Sequence, residues 1–301
     1  MSGHPIPQPV AIRCADGTAL AGHFFAGTAT ATVPASSDPP AAPVLISPAT
    51  GVRQQFYWRF AAWLAAQGHP VLVFDYRGIG LSRQGPLARS RATLADWGQQ
   101  DQAAALDCLL QHTGAERLVL VGHSAGGQMI GLQPRHDRVA RLVGVAASTG
   151  WLAAMRWPFR WRARLGLRVL LPLGARLLGY APSAALGLGE NLPAGVARQW
   201  GQWCAAGGYA TNAVRGRPEA DFHAQVRSPV TVLHALDDDI ANPATVADLL
   251  RTLPAAPHQV LQVDPAQFGL AAIGHLDWFR SSHQGLWPLM GRAVRGEPLT
   301  A

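Results

Sequence analysis

Lysine is absent: all 25 basic residues of the 301-residue chain are arginine. Against 18 acidic residues they leave a formal charge of +7, which would suit nucleic acid if the arginines formed a stripe on a reading element. No such element accompanies them, so no nucleic-acid partner is expected. The chain is also loaded with alanine and glycine, and a GC-rich genome explains this bias more simply than function does. Cysteine is scarce. Cys14, Cys108 and Cys204 are widely spaced with no CxxC pair, which argues against a disulfide framework or a zinc site and fits a reducing, cytoplasmic setting. No metal or other cofactor is suggested. Long apolar runs are missing too: the longest, 165–180, is broken by Arg168, Pro172 and Arg176 and is too short to span a bilayer. "MSGHPIPQPV" lacks the charged start and apolar run of a signal peptide. The expectation is a soluble, cytoplasmic protein that at most touches a membrane surface.

What is present is core-forming material: 49 % of the chain is apolar, enough for a large buried interior. Eight strand-like runs stand at 9–14, 19–25, 43–47, 70–76, 117–122, 141–147, 229–235 and 258–263. From the third onward most are continuously apolar, as in strands buried on both faces of a parallel sheet. Helical patterns at 54–68, 93–114 and 242–253 lie between them, so the expected fold is an open α/β sheet of eight mostly parallel strands flanked by helices. The Thr-, Ser-, Pro- and Ala-rich stretch 27–43 is expected to be a surface loop. No internal repeat occurs.

Between the sixth and seventh strands the alternation stops for about eighty residues, more than an ordinary connection needs. Residues 151–226 are therefore read as an inserted helical cap over the carboxyl ends of the strands, with 1–150 and 227–301 as a discontinuous core. Helical patterns occur around 159–180 and 193–205. Trp151, Trp157, Trp161, Trp200 and Trp203 suggest apolar surface above the site. From Trp151 to Gly189 there are six arginines, Arg156, Arg160, Arg162, Arg164, Arg168 and Arg176, and no acidic residue. A solvated basic face accounts for them simply; the sharper reading is attraction of an anionic acyl substrate or a membrane interface.

Gly122-His123-Ser124-Ala125-Gly126 is G-x-S-x-G, a weak signal alone. Its placement strengthens it: a buried strand runs into it and "AGGQMIGL" can begin a helix after it, the strand, sharp turn and helix of a nucleophile elbow. A serine hydroxyl needs a base and an acid to orient that base. Asp237, Asp238 and Asp239 stand at the carboxyl end of the seventh strand, and His275 follows the eighth. Ser, Asp, His is the chain order this arrangement requires. His123, beside the serine, reads as a packed residue or one that supports the site from behind, and not a catalyst, while Asp75 and Arg77 read as holding the loop after strand four.

With "DYRGIGLS" (75–82), "GHSAGG" (122–127) and "IGHLDWFR" (273–280), the chain resembles the α/β-hydrolases from first strand to last helix. Within them it resembles bacterial predicted hydrolases related to the serine aminopeptidase and monoglyceride lipase branch. The resemblance implies Ser124 as nucleophile, His275 as general base and then acid, and one Asp as orienting carboxylate. A "HGxxD" pattern, read here as His234-Ala235-Leu236-Asp237-Asp238, selects Asp238; Ala235 stands in for the usual Gly, so Asp237 stays open. It also implies two oxyanion donors, the backbone N–H of Ala125 and, aligned on Pro48-Ala49-Thr50-Gly51, that of Thr50. The expected function is a metal-independent serine hydrolase acting on a carboxylic ester with an apolar acyl or alkyl group. Acyltransferase, thioesterase or peptidase activity on the same triad, or a non-catalytic binding protein on this scaffold, are the alternatives.

Overall fold

The computed structural model describes residues 6–28 and 41–299. Residues 29–40 of the expected surface loop, and the first five of the N-terminal stretch, lie outside them. Eight strands form one sheet: β1 (Gln8–Arg13), β2 (Ala19–Phe25), β3 (Val44–Ser47), β4 (Val71–Phe74), β5 (Leu118–His123), β6 (Val139–Val145), β9 (Val230–Ala235) and β10 (His258–Val263). Two further strands of two residues, β7 (Tyr180–Ala181) and β8 (Leu192–Pro193), pair separately. The main order is β1-β2-β4-β3-β5-β6-β9-β10. Within this sheet only the β1–β2 and β2–β4 pairings are antiparallel. The expected eight-stranded, mostly parallel α/β sheet is the fold found.

Burial follows position in the sheet. Every residue of β3, β4, β5 and β9 is buried, as helices on both faces require. β10, half of it polar, is largely exposed because it is an edge strand, paired only to β9. The expected helix at 54–68 becomes a 3₁₀ turn followed by α1 (Trp58–Ala66), whose Phe60 and Trp63 pack on Trp287 of α9 (Trp287–Arg295). The expected helix at 93–114 runs as α2 (Leu94–Asp96), a π segment (Trp97–Gln102) and α3 (Ala103–Thr113). Thr93 opens it with a reciprocal side-chain to backbone pair to Asp96, which satisfies otherwise orphaned N–H groups. Gly114, at φ 69°, closes it. Asn242 caps α8 (Pro243–Arg251).

β3 sits between β4 and β5, so the chain leaving β3 crosses one way and the chain leaving β5 returns the other. The loops after these two strands diverge at their carboxyl ends and open a crevice there. Register pairs Ser47 with Gly122, bringing the β3 loop level with the Ser124 turn. Immediately after that turn the structure departs from expectation. The helix foreseen over "AGGQMIGL" is only α4 (Ala125–Gln128), followed by a 3₁₀ turn at Ile130–Leu132. Three glycines in seven residues carry a helix-propensity cost that four residues of packing do not extend further.

Between β6 and β9 lie α5 (Phe159–Leu165), a π turn (Gly166–Leu170), α6 (Leu171–Leu178), the β7–β8 ribbon and α7 (Ala194–Ala205). The π turn ends two residues before Pro172, whose ring would strike the carbonyl four residues back in a straight α-helix. This inserted segment is tied to the strand-end loops. Glu190 N–H donates to Gly51 O at 2.8 Å, Gly80 N–H donates to Glu190 Oε2 at 2.6 Å, and Ala95 N–H donates to Gln199 Oε1 at 2.8 Å. Trp157 and Trp161, expected to face the site, are instead more than half exposed to solvent. Among the described residues no helix is long and apolar enough to cross a membrane.

Candidate active site

Ser124 has φ 48° and ψ −116°, a region that a side chain makes costly. The tight turn survives because its neighbours are glycines. A Cβ on Gly122 would lie 2.3 Å from Gly127 Cα, and one on Gly126 would lie 2.1 Å from Ser47 O. Gln102, from the π segment, donates to both Gly126 O and Ser47 Oγ at 2.8 Å, pinning the turn to the end of β3. The strained backbone lifts the Ser124 hydroxyl off the sheet.

Two loops from distant sequence converge on that hydroxyl. His275 Nε2 lies 2.9 Å from Ser124 Oγ, and His275 Nδ1 lies 2.8 Å from Asp238 Oδ2. Asp238 is fully buried and accepts through Oδ1 from the N–H groups of Ile240 and Ala241, at 2.7 and 2.9 Å. Burial pushes its carboxyl up, but the facing His275 and those two amides together hold it below the usual carboxylate range. Asp237 does not reach the imidazole. Its carboxylate accepts from the N–H groups of Ile273 and Gly274, at 2.9 and 3.0 Å, and so moors the loop that carries His275.

Ala125 follows the serine and Thr50 lies in the β3 loop that packs against Gly126. Among the described residues no backbone carbonyl accepts from the N–H of either; the first amide of a helix has no partner within it. Asp75 holds the base of this loop and the next. It accepts from Gln54 N–H, Gln54 Nε2 and Leu81 N–H at 2.7, 2.8 and 2.9 Å. Arg77 pairs with Asp101 and Asp16, both at 2.6 Å.

His123, expected to be packed or to support the site from behind, connects the two sides of the site. Its Nε2 faces His275 O at 2.9 Å and its Nδ1 faces Tyr57 OH at 2.8 Å. A carbonyl only accepts, so Nε2 carries the proton and Nδ1 takes one from Tyr57 OH. Tyr57 OH in turn accepts from Ala49 N–H at 2.9 Å. One buried run therefore joins the residue before Thr50 to the backbone of His275. No spacing rule in the sequence signals it, because Tyr57, His123 and His275 meet only through the fold.

Burial, with the nearby His275, pushes His123 down to about 3. An unfolded histidine titrates near 6.5, so below that pH the unfolded chain binds a proton that the native chain refuses. Stability is full above pH 6.5 and falls as pH drops toward 3. We expect His123→Gln, which keeps a donor for His275 O, to remove one proton from this dependence, about 1.4 kcal/mol per pH unit. Denaturant unfolding of both proteins between pH 4 and 6 measures it; identical slopes would show that His123 is not a buried neutral imidazole.

A cavity of about 560 Å³ adjoins the site, lined in part by Gly51, Val52, Phe56, Leu87, Glu190 and Leu276. Its walls come from the loops after β3 and β4, the inserted segment and the residue following His275. None of the tryptophans lines it. Among the described residues no group of three or more His, Cys, Asp or Glu side chains is placed to hold a metal ion.

The family described as "Alpha/beta hydrolase family" matches residues 18–280. Curated relatives match more locally. A putative carbamate hydrolase, RutD, of Variovorax paradoxus is 33% identical over 109 residues, 36% of this chain and 38% of that protein. The uncharacterized protein YfhR of Escherichia coli K12 is 31% identical over 125 residues, 41% of this chain and 40% of that protein. The aligned stretch thus spans about two fifths of each of these relatives. Among solved structures, a soluble variant of Saccharomyces cerevisiae monoglyceride lipase aligns with a TM-score of 0.60 at 16% identity, covering 97% of this chain and 96% of that one. Puromycin hydrolase aligns with a TM-score of 0.57 at 18% identity, covering 99% of this chain and 40% of that one. At these identities the likeness is one of fold.

Proposed function

The chain belongs to the α/β hydrolase family, and from that premise we propose that it is a serine hydrolase cleaving a carboxylic ester through an acyl-enzyme. The observation that carries the reading is the run from Ser124 Oγ to His275 to Asp238, at 2.9 and 2.8 Å, built on a serine held at positive φ. His275 takes the Ser124 proton as Oγ bonds to the ester carbonyl carbon, and Asp238 stabilises the resulting imidazolium. The carbonyl oxygen, now an oxyanion, is held by the N–H groups of Thr50 and Ala125. Collapse breaks the bond to the alcohol oxygen, which leaves with the His275 proton. Water, deprotonated by His275, then attacks the acyl carbon, and the acid departs as Ser124 recovers its proton.

The residues 151–226 act as a cap, the remainder being the core. Glu190 supports this, since it bridges the loops after β3 and β4 at the mouth of the cavity. A volume near 560 Å³ falls in the range of small-molecule sites. Phe56, Leu87, Val52 and Leu276 provide its apolar walls, and Arg53, Arg83, Glu190 and Asn191 its polar ones, which suits an ester carrying an apolar acyl or alkyl group beside a polar end. The carbamate hydrolase among the partial relatives makes a carbamate the second substrate class, since the same nucleophile attacks its carbonyl.

The test is a fluorophosphonate probe with peptide mass spectrometry, followed by a panel of esters of increasing acyl length alongside carbamates and amides. We expect the label on the Ser124 peptide and the fastest turnover on apolar esters. A label elsewhere, or none on active protein, would end the reading; faster carbamate turnover would replace the ester by the second class.

A further inference from the structure

We propose that the outer face of the helix Phe159–Leu178 docks on an anionic phospholipid bilayer. Trp161, Leu165, Val169, Leu173 and Leu177 recur every fourth residue along it, with Trp157 in the turn before its start, and each is at least half exposed, from 50% for Val169 to 72% for Leu177. A four-residue repeat drifts around a helix of 3.6 residues per turn. The wider π turn at Gly166–Leu170 absorbs much of that drift, so the stripe stays on the solvent side. From Trp161 to Leu177 it runs roughly 24 Å. The opposite side is short: Gly166, Leu167 and Leu171 are buried, with Leu167 O against Gly201 of α7.

Arginines border the stripe. Arg160, Arg164 and Arg168 each precede one of its residues, as does Arg176, and among the described residues none of the four forms an ion pair. The Arg160 and Arg164 guanidiniums stand 6.0 and 5.3 Å from the centre of the Trp161 ring. No acidic residue occurs between Trp151 and Gly189. Leucine and tryptophan along one line with arginine beside it is the pattern of a helix lying in the headgroup region, apolar side chains in the acyl boundary and cations at the phosphates. Charge also selects among occupants. Two copies of this face would bring arginines against arginines with no carboxylate between them, which disfavours self-association. The proposal stands independently of the chemistry assigned to Ser124.

The experiment is flotation of the full chain with phosphatidylcholine vesicles, with and without phosphatidylglycerol, read alongside tryptophan emission. We expect partition and a blue shift only with phosphatidylglycerol, weakening as salt rises. Changing Arg160, Arg164 and Arg168 together to glutamine should weaken partition on the order of a hundredfold. The set Trp161→Ser, Leu165→Ser and Leu177→Ser should abolish the blue shift. All six positions are exposed, so circular dichroism melting should be retained; if the serine set failed to fold, the glutamine set alone would still decide. Absence of partition, equal partition of wild type and the glutamine set, or a dimer in sedimentation velocity that the serine set dissolves would each overturn the proposal.

Discussion

Ser124→Ala will stop turnover while leaving the fold intact. We expect kcat/KM on the best ester of the panel to fall by about 10⁵- to 10⁶-fold, since removing the nucleophile of such a triad leaves only the contribution of binding and oxyanion donors. Stability should change little. The Ser124 hydroxyl is bonded to His275 Nε2, a contact at a partly exposed site worth about 1 kcal/mol or less. The glycines that hold the turn are untouched, and alanine meets the same positive φ that serine already tolerates. Steady-state kinetics and thermal melting on the same preparation check both halves. Residual activity above about a tenth of wild type would place the nucleophile elsewhere.

Asp238→Asn should cost about 10⁴-fold in kcat, and Asp237→Asn far less. The contrast follows from what each carboxylate touches. In the Asp238→Asn variant the amide oxygen would still accept from Ile240 and Ala241 N–H, but an NH₂ group would replace the oxygen that faces His275 Nδ1. Two donors cannot share that contact, so Nδ1 would give up its proton and Nε2 would carry one toward Ser124. The imidazole would then have no lone pair for the serine proton. Asp237 acts on backbone: its loss loosens the Ile273–Gly274 amides and with them the aim of His275. We expect a drop of roughly tenfold for Asp237→Asn, accompanied by a lower melting temperature. Equal losses for the two variants would contradict the separate roles.

These contrasts also mark where sequence reasoning stopped. The stretch Asp237-Asp238-Asp239 at the end of a buried strand is visible in the sequence, and the resemblance selects Asp238 within it, yet Ala235 in place of the usual Gly leaves Asp237 open. The fold decides that through the β9 turn, which directs Asp238 under His275 and leaves Asp237 level with the next loop. The tryptophans of residues 151–226 show the opposite error. Their number suggested apolar surface over the site, whereas a helix places residues four apart on one side and the structure turns Trp157 and Trp161 outward.

By itself the sequence determined the α/β class, all eight strands of the main sheet and the turn at Ser124. Those depend on local chemistry: unbroken apolar runs demand burial on both faces, and glycine is required where a strand meets a helix too closely for a Cβ. Only the tertiary structure decided that Asp237 moors the loop carrying His275, the run from Ala49 through Tyr57 and His123 to His275, and which face of the inserted helix meets solvent. Each of these joins or separates residues far apart in the chain, and hydrogen-bond partnership is a matter of a few tenths of an ångström, which residue spacing does not encode.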